Sequence, residues 1–308
     1  MVILNYQDLR EEVIDKSKCF FCGACQSSCP VEAIEIKKEP RLVGNCIDCG
    51  NCHYVCPATK TELDPKEIQN YFSAKSKDSS LLKSSQNGGV ASTILKKLLE
   101  RNEIDAALAV GEKNWKPTSE IMTKKEEVIK SAGTKYGVVP LLKKVKEASQ
   151  HGKTAIAGTP CHIKGARLLK QKGIGNIKYL ISVFCMENFD YNCLINKELN
   201  KRGLNKDKIE KMGIDSGKLN VEISDKKENI DLSEIENCVR EACKYCEDFA
   251  GEYSDISIGS VDSEEGYSTI LVRTEEGEKV IELAKNDLEK KELDDLKLVK
   301  KLSKIKKK

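Results

Sequence analysis

The stretch "CFFCGACQSSCP", beginning at Cys19, recurs as "CIDCGNCHYVCP", beginning at Cys46. Each copy reads C-x2-C-x2-C-x3-C-P. No other feature constrains the fold so tightly, because eight thiols at these spacings have to be led around a metal. In the bacterial ferredoxin pattern the first three cysteines of a run wrap one cubane and the fourth ligates the other. Cys19, Cys22, Cys25 and Cys56 are therefore expected to hold one 4Fe-4S cluster, and Cys46, Cys49, Cys52 and Cys29 the second. Gly23 and Gly50 lie where backbone amides turn toward the cluster, and Pro30 and Pro57 fix the turn after the fourth ligand. The alternative is zinc, but a tetrahedral zinc takes two pairs and does not call for the third cysteine of each run. His53, inside the second run, is expected at the surface beside the cluster and not as a ligand.

Composition bears on where such thiols can persist. The N-terminus has acids at Glu11 and Glu12 and no basic region leading into a long apolar run. It does not read as a signal peptide, and no window approaches about twenty apolar residues. The chain is expected to be cytoplasmic, reaching a membrane complex only through a partner. In that compartment disulfides are rare and clustered cysteines bind metal. The 52 basic residues nearly balance the 49 acidic ones, which argues against nucleic acid as a ligand.

The periodicity divides the chain into a ferredoxin-like unit (1–62), a polar linker with one short helix (63–84), a larger domain (85–285) and a Lys-rich helix or tail (286–308). In the larger domain the residues at 90–100 place Val90, Ala91, Ile94, Leu95, Leu98 and Leu99 on one helical face. Strands are expected over 104–111, 153–158 and 177–185, and helices over 139–152, 163–173 and 190–203. A hairpin is expected near 211–232, then two more strands and a helix. Alternating short strands and helices imply an α/β domain with a partly parallel sheet. A small α+β bacterial-type ferredoxin domain precedes it.

Six cysteines remain. Cys161 sits at a strand-to-helix turn, where helix-start amides stabilise a thiolate. Cys185 ends a buried strand, and Cys243-x2-Cys246 forms a pair. Ligands at the carboxyl ends of adjacent strands converge on one side of a sheet, so these four are the expected ligands of a third cubane. Small buried hydrophobes, or a redox-active thiol at Cys161, are the competing readings. Cys193 reads as a buried structural thiol and Cys238 as the best substitute ligand. Gly88-Gly89 before a helix, and the turn "AGTKYG" (132–137), are places where backbone amides could approach a nucleotide.

Taken together, "QNGGVAS", "AGTKYG", "GTPCHIKGAR", "FCMENF", "KMGIDSGK", "CKYCEDF" and "ISIGSVDSEEGYSTILVRT" occur in order across residues 84–285. This order resembles the family of β subunits of coenzyme F420 hydrogenases and dehydrogenases, over about two-thirds of the chain. The N-terminal unit resembles the form fused to F420-oxidising subunits of respiratory complexes and to formate dehydrogenase β subunits. The resemblance implies FAD, a third 4Fe-4S cluster on Cys161, Cys185, Cys243 and Cys246, and coenzyme F420 as hydride donor or acceptor. Carried over residue by residue, it makes Gly88, Gly89, Thr134, Lys135, Tyr136, Thr159 and Asn188 candidate FAD contacts. Gly266, Tyr267 and Ser268 become candidates for the flavin face.

The expected activity is thus a flavin iron–sulfur oxidoreductase acting on coenzyme F420. Deazaflavins exchange hydrides, clusters pass single electrons, and a flavin can do both. The redox partner implied is a hydrogenase, formate dehydrogenase or respiratory-complex subunit, or a ferredoxin, since no hydrogen- or formate-oxidising site is legible. A reductase of a different organic substrate, and an electron-transfer adaptor without F420 chemistry, are the other readings.

Overall fold

The computed structural model describes residues 4–224 and 226–307; Met1–Ile3 of the apolar start, Asp225 of the expected hairpin and Lys308 of the tail lie outside the described residues. The N-terminal unit contains α1 (Tyr6–Leu9), a π-helical turn (Arg10–Ile14), α2 (Ala24–Ser28), the antiparallel pair β1 (Ile34–Ile36) and β2 (Pro40–Leu42), and α3 (Asn51–Tyr54). Its core joins Tyr6, Leu9, Val13, Ala33, Ile34 and Ile36 to Cys25, Cys29 and Cys52. So small a core is rich in cysteine, and a unit of this size usually needs metal to hold it.

The second unit is built in chain order from β3 (Asn70–Ser76), α4 (Ser79–Ser84), α5 (Val90–Glu100), β4 (Ala106–Lys113), β5 (Lys116–Met122), α6 (Val145–Ser149), β6 (Thr154–Gly158), α7 (Pro160–Gln171), β7 (Ile177–Val183), β8 (Ile209–Asp215), β9 (Lys218–Ile223), β10 (Lys226–Asp231), β11 (Ile256–Gly259), β12 (Ser268–Val272), α8 (Glu275–Ala284), β13 (Leu288–Lys291) and α9 (Lys297–Lys306). Eight strands form one sheet in the order β13-β3-β12-β11-β7-β6-β4-β5. Its centre, β11-β7-β6-β4, is parallel, and both flanks are antiparallel.

Strand alternation decides which helices cover which face. Ala107, Ala155 and Ile181 point to the side of α5 and α8, where they meet Ile94, Leu98 and Val280. Leu108, Ile156 and Leu180 point to the other side, onto Val145 of α6 and Ile163, Ala166 and Leu169 of α7. Burial on both faces is why these strands read as continuous apolar runs. The carboxyl ends of β6 and β7 therefore lie side by side, each followed directly by a segment that carries a cysteine.

Several expectations require correction. Residues 63–84 are not a linker, because β3 pairs with both β12 and β13 inside the sheet. Its buried residues are Phe72, Ser73, Ala74 and Ser76, and apart from Phe72 these are small or hydroxyl side chains that hide the period of two. In the C-terminal 286–308 segment the Lys-rich helix forms as α9, but it is preceded by an edge strand, β13, and Leu288, Leu296 and Val299 are buried. The expected hairpin is a three-stranded meander of β8, β9 and β10. The helix expected over 139–152 opens as a 3-10 turn (Leu141–Lys144) before α6 begins. His53 is buried at 8% exposure, with Nε2 2.9 Å from Glu12. Cys193 and Cys238 are joined in a disulfide, so neither is a free thiol.

Candidate functional site

The twelve cysteines expected as ligands are all free. Cys19, Cys22, Cys25 and Cys56 line one cavity with Phe20, Phe21, Ile36 and Pro57. Around Cys52 gather Cys46, Cys49 and Cys29. The fourth cysteine of each run thus lies beside the first three of the other. Gly23 and Gly50 both take left-handed conformations, φ 95° and 74°, and each starts a short helix carrying its run's third cysteine. Cys46 and Cys49 are exposed, so the second centre opens to the surface, beside Val43 (60% exposed) and Ile47 (56%).

Cys161, Cys185, Cys243 and Cys246 line a second cavity, together with Phe20, Thr159, Asn188, Arg240 and Lys306. Cys161 sits in the first turn of α7, after Pro160 at the first helical position. Cys185 follows β7, and its amide donates to Phe249 O at 3.0 Å, which ties it to the loop carrying Cys246. Asn188 N donates to Cys243 Sγ at 3.3 Å.

Burial governs the electrostatics of both cavities. It pushes the Cys22, Cys25, Cys161 and Cys185 thiols well above their ordinary range, and the facing cysteines add to this. Cys52 and Cys56 are pushed up to about 12, first by burial. Thiols in such surroundings give up their protons to a bound cation, not to water. Among the described residues, no three His, Cys, Asp or Glu side chains close around a point tightly enough for a single ion. A cubane spreads its four irons over corners and holds its thiolates further apart than one tetrahedral zinc does. Sulfur-only donor sets of four fit iron–sulfur clusters.

The two cavities are close neighbours. Phe20 lines both. Cys161 lies in the first turn of α7, and a Cβ built on Gly165, one turn later, would lie 3.5 Å from Cys22 Sγ. Four helical residues rise about 6 Å, so one rigid turn separates the two donor sets. Hydrogen bonds fix the units against each other: Leu142 N to Cys22 O at 2.8 Å, Lys146 Nζ to Cys29 O at 2.9 Å, and Arg240 Nη2 to Cys19 O at 3.2 Å. The Arg240 guanidinium also lies 5.6 Å from the Phe21 ring centroid.

The residues expected at a flavin fall into two places. Gly88 N donates to Ser268 Oγ at 3.2 Å. A Cβ on Gly88 would come within 2.6 Å of Ala74 O, so packing against the sheet already requires glycine there. Gly89 lies by Ser85, and Gly133 by Ser84 O, which brings the 132–137 turn to the Gly88-Gly89 segment. Thr134 is exposed and Tyr136 buried. The Lys135 ammonium folds back onto the carbonyls of Ala132 and Gly133, and burial lowers its pKa. At the far end of the turn, Gly137 O accepts from Asn188 Nδ2 at 3.3 Å. The turn therefore runs from Gly88-Gly89 to the third cysteine set, where Thr159 also lies, 3.2 Å from Cys161 Sγ. Tyr267 is not brought to this line. Its hydroxyl donates to Glu289, and Lys75 and Lys291 lie 4.7 and 4.2 Å from its ring centroid. Gly266, beside it, has open space around its Cα.

Phe20, Arg240 and Lys306 were not anticipated. Phe20 and Arg240 had a signal in the sequence, since one follows Cys19 and the other precedes Cys243 by three residues. Lys306 had none among its neighbouring lysines. Cys238, the expected substitute ligand, is held away from the third set by its bond to Cys193. Cys238→Ser is therefore expected to leave iron content unchanged while lowering stability by about 2–4 kcal/mol. Iron analysis alongside denaturant unfolding checks both halves.

Residues 71–146 and 151–296 match the N-terminal and C-terminal parts of the coenzyme F420 hydrogenase/dehydrogenase beta subunit, and residues 11–57 match a 4Fe-4S dicluster domain. The chain is 35% identical to a coenzyme F420-dependent sulfite reductase of Methanocaldococcus jannaschii over 98% of its own length, but spans only 51% of that protein. It is 32% identical to one of the F(420)H(2) dehydrogenase subunits of Methanosarcina mazei, covering 90% of this chain and 85% of that one. Among solved structures, a chain of the F420-reducing [NiFe] hydrogenase complex from Methanosarcina barkeri superposes with a TM-score of 0.75 at 28% identity, over 79% of this chain and 90% of its own. No helix among the described residues is long and apolar enough to cross a membrane.

Proposed function

Because this chain belongs to the family of coenzyme F420 hydrogenase/dehydrogenase β subunits and carries a dicluster domain before the matched region, we propose that it exchanges a hydride between coenzyme F420 and FAD. Single electrons then pass through three 4Fe-4S clusters to or from a redox partner. That partner is a hydrogenase, formate dehydrogenase or respiratory-complex subunit, or a ferredoxin. FAD, when bound, supplies the exchange between paired and single electrons.

The chain's own residues bind, orient and insulate. Gly88, Gly89 and the 132–137 turn, brought to them where Gly133 meets Ser84 O, would form a groove for the nucleotide, with the Lys135 ammonium as its cation. Thr159 and Asn188 join that groove to the third cluster on Cys161, Cys185, Cys243 and Cys246. Ser268, which accepts from Gly88 N, belongs with that nucleotide side, whereas the Tyr267 hydroxyl is turned to Glu289. The apolar wall around Cys19, Cys22, Cys25 and Cys56 excludes water, and hydrogen bonds such as that from Asn188 N to Cys243 Sγ tune the potential of the third set. The second N-terminal cluster, with Cys46 and Cys49 exposed, is the point of exchange with the partner.

One observation carries this reading. Helix α7 sets Cys161 one turn from the first cluster's Cys22, so the flavin domain's cysteines and the ferredoxin unit's cysteines form a continuous series. Anaerobically reconstituted protein with FAD is expected to bleach or restore F420 absorbance against an artificial one-electron carrier, and to hold about twelve irons. Bound FAD without any F420 turnover would refute the hydride step, and about eight irons would remove the third cluster.

A further inference from the structure

The family match ends at residue 296, one residue before α9 begins. Helix α9 nevertheless reaches the third cysteine set. Its Val299 and Leu302 pack against Phe249, Leu271 and Leu296, and Phe249 lies three residues beyond Cys246. Its first turn is held by Asp262, which accepts from Leu298 N at 3.0 Å and Val299 N at 2.8 Å. Its last turn is held by Lys307, 2.6 Å from Glu252. Positions 299, 302 and 306 share one helical face, so the apolar stripe that docks the helix ends in a lysine. Lys297, Lys300, Lys301 and Lys304 are exposed instead.

Lys306 Nζ donates to Cys243 O at 2.8 Å and to Met186 O. Met186 follows Cys185, so a single ammonium joins the two loops that carry three of the four cysteines. It also lines their cavity, with Arg240 as a second cation and Glu187 as the acid among the lining side chains. A cubane on four thiolates is anionic and becomes more so when it accepts an electron, so a fixed cation at its edge favours the reduced state.

We propose that α9 is part of the third centre: Lys306 is a positioning residue that clamps the Cys185 and Cys243–Cys246 loops together and raises the centre's reduction potential. The inference rests on the cluster reading of those cysteines. Lys306→Met, Lys306→Arg and, as a control on the same helix, Lys301→Met separate it from general damage. Iron is counted in each, and redox titration followed by electron paramagnetic resonance reads the three centres. In Lys306→Met the third centre's potential is expected to fall, or its iron to be lost, while the two N-terminal centres keep theirs. Lys306→Arg should restore most of the effect, and Lys301→Met should match the wild type. An unchanged potential in Lys306→Met with about twelve irons retained overturns the proposal, as does an equal effect from Lys301→Met. Wild-type protein with only about eight irons instead defeats the underlying cluster assignment.

Discussion

In Cys161→Ser, flavin reduction by reduced F420 is expected to persist while electron delivery to the N-terminal centres falls by roughly a hundredfold or more. Iron should drop from about twelve per chain to about eight. The serine is nearly isosteric, so α7 and its Pro160 start remain intact. What is lost is a donor able to ionise. Burial, then the charges of Cys246 and Cys22, already push the Cys161 thiol up, and bound iron is what releases its proton. A hydroxyl starts from a far higher pKa, and a buried alkoxide against three thiolates is worse still. Loss of the cluster then removes the one centre that lies between the groove and Cys22. Stopped-flow measurement of flavin and cluster absorbance in the same mixing experiment separates the two steps. Reduction of the N-terminal clusters at undiminished speed would mean that electrons bypass the α7 turn.

Much of this site could be read from the sequence because thiol ligands announce themselves by spacing. The crossed partners Cys56 and Cys29 are expected from the fourth position of each run, whereas Cys161 and Cys185, after buried strands, leave cluster ligands and buried thiols open until the family resemblance favours the cluster. The elements that failed to register share a physical cause. Strand β3 alternates Tyr71, Ser73 and Lys75 with Phe72, Ala74 and Ser76, and a buried face of Ala and Ser carries little hydropathy signal. The Lys-rich C-terminal helix is legible, but the docking of α9 is not, because it depends on two apolar residues, Val299 and Leu302, spaced i, i+3. The Cys193–Cys238 bond joins positions 45 residues apart, and no local pattern encodes such a contact. Gly88 shows the opposite limit: the sequence suggests a phosphate, whereas the approach of Ala74 O alone makes glycine necessary. Thr159 and Asn188 lie at the third cysteine set, and their assignment to a flavin comes from the family resemblance, not from a local motif.

Gly23→Ala is expected to uncouple the two units without removing a ligand. Gly23 holds φ 95° at the start of α2, and a side chain in the left-handed region costs ~1–2 kcal/mol. The larger obstacle is contact. The new Cβ would lie 2.5 Å from Lys143 N and 2.9 Å from Pro140 O, both backbone atoms. That turn cannot yield freely, because Leu141 and Leu142 are fully buried and Leu142 N is bonded to Cys22 O. Overpacking of this kind adds ~1–3 kcal/mol, and the soft response is for the ferredoxin unit to tilt away, carrying Cys22 from Gly165. Transfer from the third centre to the first should then slow by roughly tenfold or more, with about twelve irons retained and flavin reduction by F420 unchanged. Gly50→Ala is the matched control, since Gly50 carries similar left-handed strain at φ 74° in the second run. If both variants slow the step equally, backbone strain inside the ferredoxin unit accounts for the effect. If only Gly23→Ala does, the close approach at Pro140 and Lys143 is what keeps the two cluster sets within reach of one another.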